Sequence, residues 1–290
     1  MHTIDLTYVG QGIHEELVAY VADQQDYYWQ EGVHVALRDG CLWDGERVRR
    51  TATIGLGRAV LSRVTDGIPW TVLCVNTDRP MFWLLAREAY TSVEELKGRR
   101  IGIHAPRTAP GCFSRIVLRK YGLDPDNDIE SVVMAPGDYS HHLRRLAEGS
   151  LDAAFVGSTL APEVTAQQNG LRLLAFVGDD FRIPTVGVAV DPTHIAPNDP
   201  AVLALVRATR RALHTIHDEP DLAARYLNAL IPSLTPTDAR AYYDRYIATH
   251  FTTDGRHDPS VAAHAVSSVA KELGVATVPD AGDIYRTEPA

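Results

Sequence analysis

The sequence predicts an α/β protein, a class in which strands alternate with helices that cover both faces of a sheet. Three observations carry that expectation. Short runs rich in β-branched and aliphatic residues, such as "RRIGIH" (99–104) and "LDAAFVG" (151–157), are separated by segments whose apolar residues return at three and four spacing. Loops between a strand and the next helix carry glycine or proline, as in "GQG" (10–12), "GLG" (55–57) and "APRTAPG" (105–111). After "APNDP" (196–200) the strand pattern stops and the chain reads as helix.

Taken in order, "TIDLTYVG" (3–10) alternates like a strand, and "IHEELVAYVADQQDYYWQEG" (13–32) predicts one helix with Leu17, Tyr20, Val21 and Tyr28 at helical spacing. "VHVAL" (33–37) is a second strand, "WDGERVRR" (43–50) a short helix, Thr51 to Ile54 a third strand, and a helix follows Gly57. "PWTVLCVN" (69–76), rich in β-branched residues, reads as a buried parallel strand. The alternation continues with helix "SVEELKG" (92–98), strand "RRIGIH", helix "CFSRIVLRKYG" (112–122), strand "IESVVMA" (129–135) and helix "YSHHLRRLAEGS" (139–150). Strand "LDAAFVG", helix "APEVTAQQNG" (161–170) and strands "LRLLAFVG" (171–178) and "TVGVAVDP" (185–192) complete it, implying parallel sheets. Three helical stretches (200–230, 235–250 and 259–275) then begin near Asp, Ser or Thr, the residues that cap helix starts.

Composition narrows the function. A chain of 290 residues, 45% hydrophobic and 22% charged, has room for one large or two ordinary packed domains. Its net charge of −9 argues against nucleic acid or an anionic membrane as partner, because both require basic surface. Three cysteines, Cys41, Cys74 and Cys112, are too few for a disulfide framework. No window approaches the apolar length of a membrane span, so no membrane insertion is expected. The N-terminus lacks a basic region followed by an apolar run, so with Met1 as the start the chain reads as cytoplasmic. Removal of a signal segment would instead make it periplasmic or lipid-anchored outside the cell.

The ordered motifs in 90–164, "YTSVEELKGRRIGIHAPRTAPGCFSRIVLRKYGLDPDNDIESVVMAPGDYSHHLRRLAEGSLDAAFVGSTLAPEV", are similar to a family pattern. It has an entry of the form "sxedLkGkrIgv", a ligand loop at a helix start, a "kyGld" turn and a helix closed by "l..GsvDAa.v". "AYVADQQDYYWQEGVHVAL" (19–37) matches an earlier segment of it, with Gln25 and Asp26 where the pattern has lysine or glycine. From about Ile4 to Leu230 the chain thus resembles type II periplasmic binding proteins of the group that carries sulfonates, nitrate and thiamin precursors. The resemblance implies two doubly wound lobes joined by two crossover strands, with a helical C-terminal extension on lobe one. The crossings would lie near Phe82 to Arg87 and Thr185 to Val190. Lobe one would then be 1–88 plus 189–290, and lobe two 89–188.

Ligands of open α/β sheets sit beyond the carboxyl ends of the strands. Four strand-to-helix loops therefore supply the candidate ligand-binding residues: Gln11 and Gly12; Gly55 and Arg58; Arg107, Thr108, Gly111 and Cys112; Ser158 and Thr159. Glycine lets backbone N–H groups approach a ligand, and the helices behind add partial positive charge. Arg107 and Arg58 suit a two-oxygen anion through their planar donors. Phe82 at the first crossing could stack on a flat ring. Asp138 and Asp180, each at a strand end, could accept hydrogen bonds from an amine or pyrimidine.

A thiol at a helix start, as at Cys112, is activated only with a base and an oxyanion cradle beside it, and a backbone-donor role is the simpler expectation. No H-E-x-x-H, C-x-x-C or calcium-loop pattern occurs, and His141 and His142, about 100° apart on a helix, make poor joint ligands, so no metal is expected. No cofactor is implied. The resemblance implies an importer-type solute-binding protein, with a small-molecule ligand and, if exported, an ABC-transporter permease as partner. The alternative is a cytoplasmic enzyme on the same scaffold, of decarboxylase, dehydratase or pyrimidine-precursor-synthase type, using His14, His104 or Asp138 as acid or base. Thiamin-pyrimidine enzymes of this fold carry a C-C-C-F-C segment, whereas this sequence has only Cys112-Phe113.

Overall fold

A computed structural model describes residues 1–8, 10, 12–134 and 139–287. Among the described residues, ten strands form two sheets. They are β1 (His2–Tyr8), β2 (Val33–Asp39), β3 (Ala52–Gly55), β4 (Thr71–Val75), β5 (Phe82–Arg87), β6 (Arg100–His104), β7 (Glu130–Met134), β8 (Ala153–Gly157), β9 (Leu171–Phe176) and β10 (Val186–Val190). The first sheet has the order β2-β1-β3-β10-β4 and the second β7-β6-β8-β5-β9, each the centre of one α/β lobe. The two-lobed architecture is therefore the one expected.

Two details differ from the expectation. The sheets are mixed, because β10 runs antiparallel to β3 and β4, and β5 antiparallel to β8 and β9. A chain leaving one sheet at its carboxyl edge enters the facing sheet from that sheet's own carboxyl edge, and so runs against the resident strands. For the same reason β5 lies wholly in the second sheet and β10 wholly in the first. The segments that pass between the sheets are 76–81 and 177–185, so the division after residue 88 falls behind β5 instead of in front of it.

The two crossing segments are tied side by side. Thr185 donates from its N–H to the Thr77 carbonyl at 2.7 Å and Ile183 from its N–H to the Asp78 carbonyl at 2.9 Å. Arg79 reaches Asp179, and Arg182 reaches Asp78, across the same ribbon.

Two expected helices shorten. The helix starting at Ile13 ends at Gln24, because Asp26 adopts a left-handed φ of 57° that no helix continues, and a single turn Tyr27–Gln30 follows. "SVEELKG" forms only a 3₁₀ turn, Glu94–Leu96, before Gly98 turns the chain at φ 73°. The C-terminal helices keep their sequence signals: Asp199, Thr235 and Asp258 each accept a first-turn N–H, with proline behind the cap. Helix Pro259–Glu272 packs on helix Ala109–Lys120 of the second lobe, where Glu272 accepts from Arg115 at 2.7 Å and Arg119 at 2.8 Å. Among the described residues no helix is long and apolar enough to cross a membrane.

Candidate functional site

The helix that follows β1 in the first lobe meets the loop that follows β8 in the second. Gly12 precedes the helix Ile13–Gln24 in extended conformation and offers no side chain to cap it. The first N–H of that helix, on Ile13, instead donates to Ser158 Oγ of the other lobe at 2.8 Å. Thr159 lies half-buried next to Ser158. One buried hydrogen bond therefore joins a helix start of one lobe to a strand-end loop of the other.

His14 and Glu15 follow in the first turn, 5% and 3% exposed. The imidazole Nε2 and the carboxylate Oε2 lie 2.9 Å apart, yet without the alignment of a hydrogen bond. Both side chains fold back over Gly12: a β-carbon there would stand 2.6 Å from Glu15 Oε2 and 2.6 Å from His14 Cε1. A β-carbon on Gly55, at the end of β3, would stand 3.7 Å from Glu15 Oε1. Asn76, after β4, donates to the His14 carbonyl at 2.7 Å and holds the turn from below. Beside Glu15, the Glu16 carboxyl is pushed up to about 7, first by burial and then by the charge of Glu15. Cys41 lies exposed at the end of β2, its thiol pushed up to about 11 by burial and by Asp39.

The structure thus brings Gly12, His14, Gly55 and Ser158 together. The 105–112 loop behaves differently. Thr108 caps the helix Ala109–Lys120: its hydroxyl donates to the Ala105 carbonyl at 2.7 Å and accepts from Gly111 N–H at 3.2 Å. Cys112 N–H is bonded to the Thr108 carbonyl at 2.8 Å. The expected backbone donors at Gly111 and Cys112 are therefore already used inside the protein. Gly111 is required by packing, since a β-carbon there would lie 2.1 Å from the Ala105 carbonyl oxygen. The Cys112 thiol is fully buried and pushed up to about 12 by burial, which leaves no thiolate for nucleophilic chemistry at neutral pH.

Arg107 is exposed at the rim, 3.7 Å from Asp66 of the first lobe. Arg58 opens the helix Arg58–Asp66 and is exposed. Behind it, Gly57 abuts the second lobe, where a β-carbon would stand 3.0 Å from Phe113. Phe82 is buried and stacks on Phe113 at 6.5 Å, with Phe155 edge-on at 6.3 Å. Asp180 does not reach this region: Lys120 and Tyr121 hold it at 2.9 Å each, at the far end of a helix about 18 Å long. His104 also lies apart, 1% exposed and stacked on His142 at 5.5 Å inside the second lobe, with His142 Nδ1 2.9 Å from the Phe155 carbonyl. Gln11 and Asp138 lie outside the described residues.

Neither Glu15 nor Asn76 was among the residues the sequence singled out. The signal available for Glu15 was its place directly after a glycine loop, three and four residues before the apolar Val18 and Ala19.

Comparison with known proteins follows this geometry. A family model described as NMT1/THI5 like matches residues 15–223. The alkanesulfonate-binding protein SsuA from Xanthomonas axonopodis pv. citri, bound to MOPS, superposes with a TM-score of 0.75 at 15% identity, covering 99% of each chain. The periplasmic aliphatic sulphonate binding protein SsuA from Escherichia coli gives 0.72 at 15% identity, over 97% of this chain and 96% of that one. The desulfurization enzyme DSZB gives 0.66 at 17% identity, over 93% of this chain and 91% of that one. At these identities the likeness is one of fold.

Proposed function

The chain belongs to the NMT1/THI5-like family, and on that premise we propose that it is a solute-binding protein of the ABC-importer type, which closes two lobes over a small anionic or heterocyclic organic molecule. The observation that carries this reading is the Ile13 to Ser158 hydrogen bond, which joins the lobes beside the glycine loops. Closure about the paired crossing segments surrounds a solute with preorganised groups and needs no chemistry. The sulfonate-binding neighbours support a small organic ligand, and the periplasmic location of the Escherichia coli protein supports work outside the cytoplasmic membrane with a permease partner.

Thermal-shift screening of small carboxylates, sulfonates and pyrimidines tests the reading. A true solute raises Tm progressively with its concentration. A panel in which none does so overturns it.

The enzyme reading has one observation in its favour, the buried imidazole of His14 with Nε2 2.9 Å from the Glu15 carboxylate, a group of the type that serves as general base. A solute that is consumed by the protein, and spared by His14→Ala while still bound, establishes it. A solute that persists unchanged through a day with the protein removes it.

A further inference from the structure

Among the described residues, the buried carboxylates come with a cation, except one. Asp191, fully buried, is held by Arg49 at 2.5 Å and by the Thr193 hydroxyl at 2.7 Å. Asp152, 7% exposed, accepts from Arg100 and from the Tyr90 hydroxyl. The Glu272 side chain, 4% exposed, is gripped by Arg115 and Arg119. Glu15 is as buried as these, and among the described residues no arginine or lysine stands against it. Among the described residues its ion-pair partner is His14, and neither ring nitrogen of His14 nor Oε2 of Glu15 makes an aligned hydrogen bond.

Removing a carboxylate from water without a partner costs several kcal/mol. Helix-start N–H groups offset part of such a cost, but here the N–H groups of Glu15 and Glu16 bond to the Gly12 carbonyl, and that of Ile13 to Ser158. Glu15 also stands where a ligand would: Oε2 over Gly12, Oε1 towards Gly55 at the end of β3, and the second lobe's Ser158 two residues away along the helix start. The donors expected to cradle an anion, on Gly111 and Cys112, are used internally. Among the described residues, then, no arginine, lysine or aligned N–H donor meets this carboxylate.

We propose that the solute held between the lobes carries a protonated amine, amidine or equivalent N–H donor, and that this group docks on the Glu15 carboxylate in the floor of the first lobe. The inference rests on the solute-binding reading above. It makes the ligand a cation or zwitterion on the side facing Glu15, even where another part of it is anionic or aromatic.

The test uses matched pairs that differ by one nitrogen group: ethanesulfonate and 2-aminoethanesulfonate, propionate and 3-aminopropionate, benzoate and benzamidine. Affinities are measured by thermal shift and calorimetry on the full chain and on Glu15→Gln. The expected result is at least about tenfold tighter binding of the nitrogen member in one or more pairs, about 1.4 kcal/mol, and loss of that preference in Glu15→Gln with unliganded Tm undiminished. Equal binding within every pair that binds, or a preference that survives Glu15→Gln, overturns the inference and leaves solute binding standing; His14 then completes the carboxylate by itself. Should Glu15→Gln fail to fold, the wild-type pairs decide alone. If none of the six compounds raises Tm, the solute-binding reading falls and the inference with it.

Discussion

On the proposed reading the floor of the first lobe and the wall of the second face one solute, and the two differ in how their buried polar groups are satisfied. In the wall, residues 105–112, the polar groups of Thr108, Gly111 and Cys112 are satisfied within the loop: Thr108 caps, Gly111 and Cys112 donate backward, and the thiol is buried. In the floor, His14 and Glu15 are equally buried and lack aligned partners. A wall whose polar groups are satisfied is a structural element that fixes where the cleft edge lies. A floor with unsatisfied buried groups keeps interaction capacity for something outside the chain. Richness in loop-like residues therefore says less about a binding surface than the fate of each donor and acceptor.

The sharpest way to break the wall is Gly111→Ala. A β-carbon 2.1 Å from a backbone oxygen forces the helix away from the Ala105 carbonyl, with an expected loss of about 3 kcal/mol in chemical unfolding. A loss under about 0.5 kcal/mol would show that the loop adapts and is not the rigid edge described. Ser158→Ala joins the two regions: it strands the buried Ile13 N–H in the closed form, with an expected cost of about 1 kcal/mol, or about fivefold in ligand affinity. Unchanged affinity for a confirmed ligand would mean that this bond does not contribute to closure.

The floor also has a pH signature. The folded-state pKa of Glu16 lies above its ordinary 4.5, at about 7, so the native state binds the extra proton in that window. Its contribution to stability is then greatest below about 4.5 and declines as pH rises through 7, and Glu16→Gln should flatten that decline in denaturation curves. At the rim, Arg107→Ala should change stability by less than about 0.5 kcal/mol, because its 3.7 Å approach to Asp66 joins two exposed side chains. A large loss of ligand affinity in that variant would return the anion role to the wall.

Much of this was legible in the chain itself. The alternation of aliphatic runs with amphipathic segments specified an α/β class, and proline with Asp or Thr specified where the C-terminal helices start. Those signals are local, set by periodicity and by the needs of orphan N–H groups, and local physics is written in consecutive residues. The direction of β5 and β10 was not legible, since a strand pairs with neighbours far away in sequence and its own residues read the same either way. The roles of the loop residues were not legible either. Thr108, Gly111 and Cys112 have the composition of a ligand loop, and only the approach of Ala105 and the helix geometry turned them into a cap. Glu15 has the composition of a solvated helix turn, and only the meeting of β1, β3 and Ser158 from the other lobe buried it without a cation. Burial and pairing depend on what arrives from elsewhere in the chain, so the sequence determined the elements and the tertiary structure decided which polar group was left with something to bind.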